Sequence, residues 1–279
     1  MTDTSPPPKL ALLALPERYS LPGRPGSAPA SVVDCHRQTG FVLAAELDAF
    51  AELMGLHLDA VSSPGKPRTP ADAATLTYTS RTYALLADTC RLMTYGSYSS
   101  CLPLIRSALD CIATRRALAG ADAADYEQWF TDAVSREGAA TAIDLGRFHA
   151  SSPLIADPVL DRLYRVISDL AMPHFGSTLL LSAPEADSVK VSISFADPSF
   201  HLGWAELISG WLLDLAVVSL TLVTVENEAL QSKVESAVKT AQESMTSRPR
   251  CHIEEADGRW VIQNYRRNNR GQPKRVILG

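Results

Sequence analysis

Apolar positions along the chain fall into runs of helical spacing, separated by proline, glycine and small polar stretches, with one change of period. From Gly40 to Val61, the residues Val42, Leu43, Leu47, Phe50, Leu53, Met54 and Leu58 recur every three or four positions, which predicts a helix that stops at the loop Ser62 to Pro70. Thr69 and Pro70 pair a capping hydroxyl with a proline suited to the first helical position, so a long helix is predicted from there to the region of Gly96. With Ser100 as cap, Pro103 falls in the first turn of the next helix, which carries Leu104, Ile105, Ala108, Leu109 and Ile112 inward as far as Gly120. Asp122 to Arg147, with Tyr126, Trp129 and Phe130, reads as another. Asp157 and Pro158 repeat the cap-plus-proline signal ahead of a stripe of Leu160, Leu163, Tyr164, Ile167 and Leu170, and Pro173 ends it.

The period then drops to two. Val189, Val191, Ile193 and Phe195 alternate with Ser188, Lys190, Ser192 and Ser194, which predicts a strand paired with Leu179 to Leu181. Asp197 and Pro198 signal a further helix, whose stripe of Trp204, Ile208, Trp211, Leu215, Val218, Leu222 and Val225 makes it the core element. Its more polar continuation through Ala241 reads as a projecting arm or as a face for a second copy, hence a homodimer. Asp257 and Gly258, flanked by Ile253 and by Trp260, Val261 and Ile262, predict a tight hairpin. The fold class that follows is mainly α, a helical bundle with one or two small β-hairpins at about 178–195 and 251–263. Three segments are expected: a disordered Pro-rich start at 1–39, a helical domain with an inserted hairpin at 40–245, and a C-terminal hairpin with a basic tail at 246–279.

Composition adds limits. With 46% apolar residues the chain buries a substantial core, and a net charge of −5 leaves any electrostatic partner to a local patch. The five cysteines form no CxxC pair, and the start lacks a basic region ahead of its short apolar stretch, so a cytoplasmic location is expected. Leu202 to Val225 is apolar enough to resemble a membrane span, but Glu206 and Asp214 interrupt it at a cost in hydrocarbon, so a buried helix and no membrane partner are expected.

Candidate chemistry is sparse. The tail carries Tyr265, Arg266, Arg267, Arg270, Lys274 and Arg275 with no acidic residue beyond Asn264, a pattern that suits RNA phosphates and base stacking. None of the histidines has a metal-binding spacing; a metal would need Cys35, His36, Cys251 and His252 to converge, and none is expected. No cofactor is expected either, since GxSxG, phosphate-loop and dinucleotide motifs are missing. His174 follows a helix stop, where its ring either faces a cleft or caps the preceding carbonyls. Arg106, on an apolar helix, must snorkel or pair with an acid such as Asp110 or Asp169.

The run Tyr95-Gly-Ser-Tyr-Ser-Ser-Cys-Leu-Pro-Leu-Ile-Arg-Ser-Ala-Leu-Asp110 and the later Leu163-Tyr-Arg-Val-Ile-Ser-Asp-Leu-Ala-Met-Pro-His174 resemble bacterial helical proteins related to the HEPN superfamily. The resemblance implies metal-independent RNA cleavage through a ribose hydroxyl, with an arginine and a histidine close together on one helix. Here no helix carries such a pair, so the implied catalytic residues, His174 as acid/base and Arg106 for phosphate charge, would have to meet through the fold. Three functions are thus expected in order: a non-enzymatic helical module binding RNA or a protein, a HEPN-like ribonuclease, and a dimeric scaffold.

Overall fold

The computed structural model describes residues 13–62, 70–118, 157–183, 193–223, 228–257, 259–267 and 273–278. Among them are eight helices: α1 (Ala30–Val42), α2 (Ala44–Ser62), α3 (Pro70–Thr94), α4 (Tyr98–Leu118), α5 (Pro158–Ala171), α6 (Phe175–Ser182), α7 (Leu202–Thr221) and α8 (Glu228–Thr246). Three antiparallel strands follow, β1 (His252–Ala256), β2 (Arg259–Arg267) and β3 (Pro273–Leu278), in the order β1-β2-β3. The chain is thus mainly α with a small β appendage.

The local signals that end elements hold well. Asp157 accepts hydrogen bonds from the backbone N–H of Val159 (2.9 Å) and Leu160 (3.1 Å), and Pro158 takes the first position of α5. Asp257 has φ +54°, and Ala256 pairs with Arg259 across it, as a two-residue hairpin turn requires. α3 begins at Pro70 and its following turn passes through Gly96 at φ +79°. A Cβ at Gly96 would meet the carbonyl oxygen of Pro198 at 2.1 Å, so that glycine seats the α3–α4 turn directly on the segment leading into α7.

Several expectations are corrected. The Pro-rich start gives way to α1 at Ala30, inside the stretch expected to be disordered: Pro29 is its last proline, and its carbonyl accepts from Val32 at 3.0 Å to begin the helix. The helix predicted from Gly40 breaks at Leu43, which caps α1 before α2 starts. Pro103 lies inside α4, which starts at Tyr98 rather than after Ser100. Leu179 to Leu181 belong to helix α6, not to a strand; a short apolar run carries no period of its own, and here the helical hydrogen bonds claim it. Ile193 and Phe195 are exposed and outside any strand, while Val189 and Val191 lie outside the described residues. Asp197 does not open α7 but holds a local turn, accepting from the N–H of Ser199 at 2.9 Å, and the helix begins only at Leu202. The helix predicted over 122–147 lies outside the described residues.

α7 is the centre of the bundle. It packs against α2, α3 and α4, and buries Ile208, Leu212, Leu213, Leu215 and Ala216 against Phe50, Leu53, Leu86, Met93, Ile105 and Leu109. By length and composition it alone among the described helices could cross a membrane, and most of it is buried inside the fold. Arg115 of α4 is buried at its end and donates to the carbonyls of Ser219 (3.1 Å) and Leu222 (2.6 Å), placing a cation where the helix leaves its last acceptors open. The polar continuation is a separate helix, α8, folded back so that Val234, Ala237, Ala241 and Ser244 pack on α2. The continuation thus folds back onto the chain rather than projecting from it.

Candidate functional site

The return of α8 brings the linker Ser247 to Cys251 back over α7, beside α5. Between these three walls lies a cleft of about 650 Å³. From α5 come Pro158, Val159, Arg162, Leu163 and Val166; from α7, Glu206, Leu207, Gly210, Trp211 and Asp214; from the end of α8, Met245; and from the linker and β1, Arg248 to Ile253. The α7 residues at 207, 210, 211 and 214 follow the i, i+3, i+4, i+7 spacing of one helical face. The volume is in the range of small-molecule sites.

One end of the cleft is a completed ionic network. Glu46 of α2 and Glu206 of α7 are both nearly fully buried, and each meets an arginine from the linker. Arg250, itself buried, donates to Glu46 Oε1 at 2.9 Å, to the Glu206 carbonyl at 2.9 Å and to Ser209 Oγ at 2.7 Å. Arg248 donates to Glu206 Oε1 and to Glu46 Oε1, the latter at 3.2 Å, and the N–H of Cys251 donates to the remaining Glu206 oxygen at 2.8 Å. Two acids and two arginines balance, each carboxylate meeting at least one arginine, which is the condition under which buried charge is tolerated.

Two charged groups remain outside that balance. Asp214 is half-buried on α7, and among the described residues it has neither a hydrogen bond nor an ion pair. Burial pushes its carboxyl up to about 6 against the through-space pull of Arg250 and Arg162. Across the cleft, Arg162 of α5 donates to the carbonyl of Ile253 and has no carboxylate partner within ion-pair distance among the described residues. The cleft is open at Gly210: a Cβ added there would meet nothing within 4 Å. A glycine inside a helix costs about 1 kcal/mol relative to alanine, and here the missing side chain leaves space beside Trp211 and Asp214.

The residues singled out from sequence sit elsewhere. Arg106 is engaged at all three guanidinium nitrogens, by Ser168 Oγ (2.7 Å), by Asp110 (2.5 Å) and by the Tyr164 hydroxyl, and its guanidinium carbon lies 3.5 Å from the Tyr164 ring centroid. The pairing with Asp110 is the one expected; Asp169 instead accepts from the Trp260 indole at 3.1 Å, fastening β2 to α5. These contacts join the segments Tyr95 to Asp110 and Leu163 to His174. His174 is exposed as the first flanking residue of α6, without a side-chain cap bond, so it opens that helix rather than closing α5. Among the described residues no hydrogen bond or ion pair links Arg106 to His174, and neither lines the cleft.

Tyr265, Arg266 and Arg267 lie in β2, and Lys274 and Arg275 in β3, so part of the stretch expected as a tail has strand backbone; Arg270 lies outside the described residues. No group of three or more metal-ligating side chains is found among the described residues. Cys35 contacts the Tyr98 hydroxyl at 3.5 Å and the His36 ring meets the Pro22 carbonyl at 2.9 Å, whereas the Cys251 thiol, pushed up to about 12 by burial, lies at the cleft.

Sequence reasoning missed the cleft, although Asp214 and Glu206 had stood out as charges in an apolar run. That was the available signal. It excluded a membrane span, but it also marked the two places where α7 must answer to something polar. No family model matches the chain, and no curated protein and no solved structure matches it.

Proposed function

We propose that this protein is a non-enzymatic binding module and that its ligand site is the cleft between α5, α7 and the Ser247–Cys251 linker. The observation that carries this reading is Asp214: a half-buried carboxylate at the cleft, with neither a hydrogen bond nor an ion pair among the described residues. Burying such a group without compensation is costly, and a few convergent polar groups on apolar walls are the usual composition of a ligand site. Arg106 supports the same reading by contrast, since its nitrogens are occupied within the protein and leave little to offer a phosphate.

The test uses the open floor. Gly210→Leu fills the cleft without a steric clash at Cβ and favours the helix, so the variant is expected to fold. The full-length protein and this variant are screened by thermal unfolding against a chemically diverse small-molecule library. A compound that raises the wild-type midpoint and leaves the variant's unchanged supports the cleft. Compounds that shift both equally, or none that shifts the wild type, would overturn it.

A further inference from the structure

Resting on that reading of the cleft, we infer that its ligand is a small zwitterion of the amino-acid or short-peptide class, with its ammonium on Asp214, its carboxylate on Arg162 and its apolar body against Trp211 and Leu207.

The argument is a charge balance. Glu46, Glu206, Arg248 and Arg250 cancel one another, and Arg250 and Glu206 have further hydrogen bonds that hold them in place. What remains without a direct ion pair among the described residues is one negative group on α7 and one positive group on α5, which act on each other only through space. A purely cationic ligand would satisfy Asp214 while adding repulsion from Arg162 and Arg250, and a purely anionic one would do the reverse. Like charges brought together in a partly desolvated cleft repel, so a ligand carrying both signs is preferred over either alone.

The rest of the lining agrees with an amphipathic molecule. Leu163, Val166, Leu207 and Met245 present apolar surface, and a volume of about 650 Å³ exceeds what the two charged ends alone would fill. Gly210, one helical turn before Asp214, carries no side chain, and a Cβ there would meet nothing within 4 Å, so that stretch of the cleft is open.

Isothermal titration of the full chain at pH 7.5 tests this with L-phenylalanine and leucyl-phenylalanine as probes, each beside its N-acetyl and its C-terminal amide form. Saturable binding of at least one free zwitterion is expected, with both blocked forms at least tenfold weaker. Asp214→Asn should weaken the zwitterion at least tenfold while leaving the N-acetyl form unchanged, and Arg162→Gln should do the same with respect to the amide. Affinity for the zwitterion should also fall between pH 7.5 and 5 as Asp214 takes a proton. The other titratable or charged groups facing it are Arg162 from α5, Glu206 from α7, and Arg248, Arg250, Cys251 and His252 from the linker and β1. Asp214→Asn must lose the pH dependence. Equal binding of the free and N-acetyl forms, or pH dependence unchanged in Asp214→Asn, would overturn the inference. If neither zwitterion binds while an uncharged compound stabilises the wild type and not Gly210→Leu, the zwitterion is refuted and the cleft stands. If nothing discriminates Gly210→Leu from wild type, both fall.

Discussion

Two arginine-and-acid groups border α5, and they differ in how completely the protein answers them. At the α4 side, Arg106 spends its nitrogens on Ser168, Asp110 and Tyr164, and the aromatic ring of Tyr164 lies against the guanidinium. At the α7 side, the linker arginines satisfy Glu46 and Glu206, yet Asp214 in the same cleft is left without a partner among the described residues. The difference separates charge that holds elements together from charge that is held ready. An ionisable group in an apolar setting is evidence of function only after its partners have been counted.

The largest expected effect removes a structural tie from the completed network. Arg250→Met should cost about 3–5 kcal/mol in urea unfolding, because Glu46 would keep its burial and lose its buried countercharge. A loss below 1 kcal/mol would show that the network is not structural and would break the comparison at its first term. Arg106→Met should cost about 2 kcal/mol by loss of the charge-assisted bonds between α4 and α5, without altering ligand binding at the cleft. Binding lost together with stability would make the two regions one.

The last prediction concerns pH and sharpens the contrast. In the folded protein Asp214 is held up to about 6, above its ordinary value near 3.9, so its contribution to stability is complete below about pH 4 and fades as pH rises through 6. The stability of wild type relative to Asp214→Asn should therefore fall by on the order of 2 kcal/mol between pH 4 and 7. His57, which burial pushes down to about 4, acts in the opposite sense, contributing above pH 6.5 and losing that contribution as pH falls toward 4; being present in both proteins, it cancels in the comparison. A difference that stays constant with pH would mean that Asp214 is solvated like a surface carboxylate.

Much of the fold was legible because its signals are local. Asp157 with Pro158, Pro70 and Asp257 are signals that act within a few residues, and helix starts or a turn stand at those places. Arg106 with Asp110 was legible for the same reason, being one helical turn apart. Leu179 to Leu181 was not, since three consecutive leucines suit a strand and a helix equally and only their neighbours decide. The cleft was least legible of all. Its walls come from three separate stretches of chain, and nothing local to Arg248 or Arg250 announces that they answer Glu46, more than two hundred residues earlier.

That separation orders events during synthesis. Glu46 and Glu206 are made before the arginines that neutralise them, and α2 and α7 cannot bury their carboxylates at acceptable cost while these stand alone. A nascent chain that has not reached Arg250 therefore holds its central helix in an incompletely neutralised setting. Closure of the bundle and assembly of the cleft become a single late step, so a ribosome-stalled chain ending before residue 248 should remain open to proteases along α2 and α7.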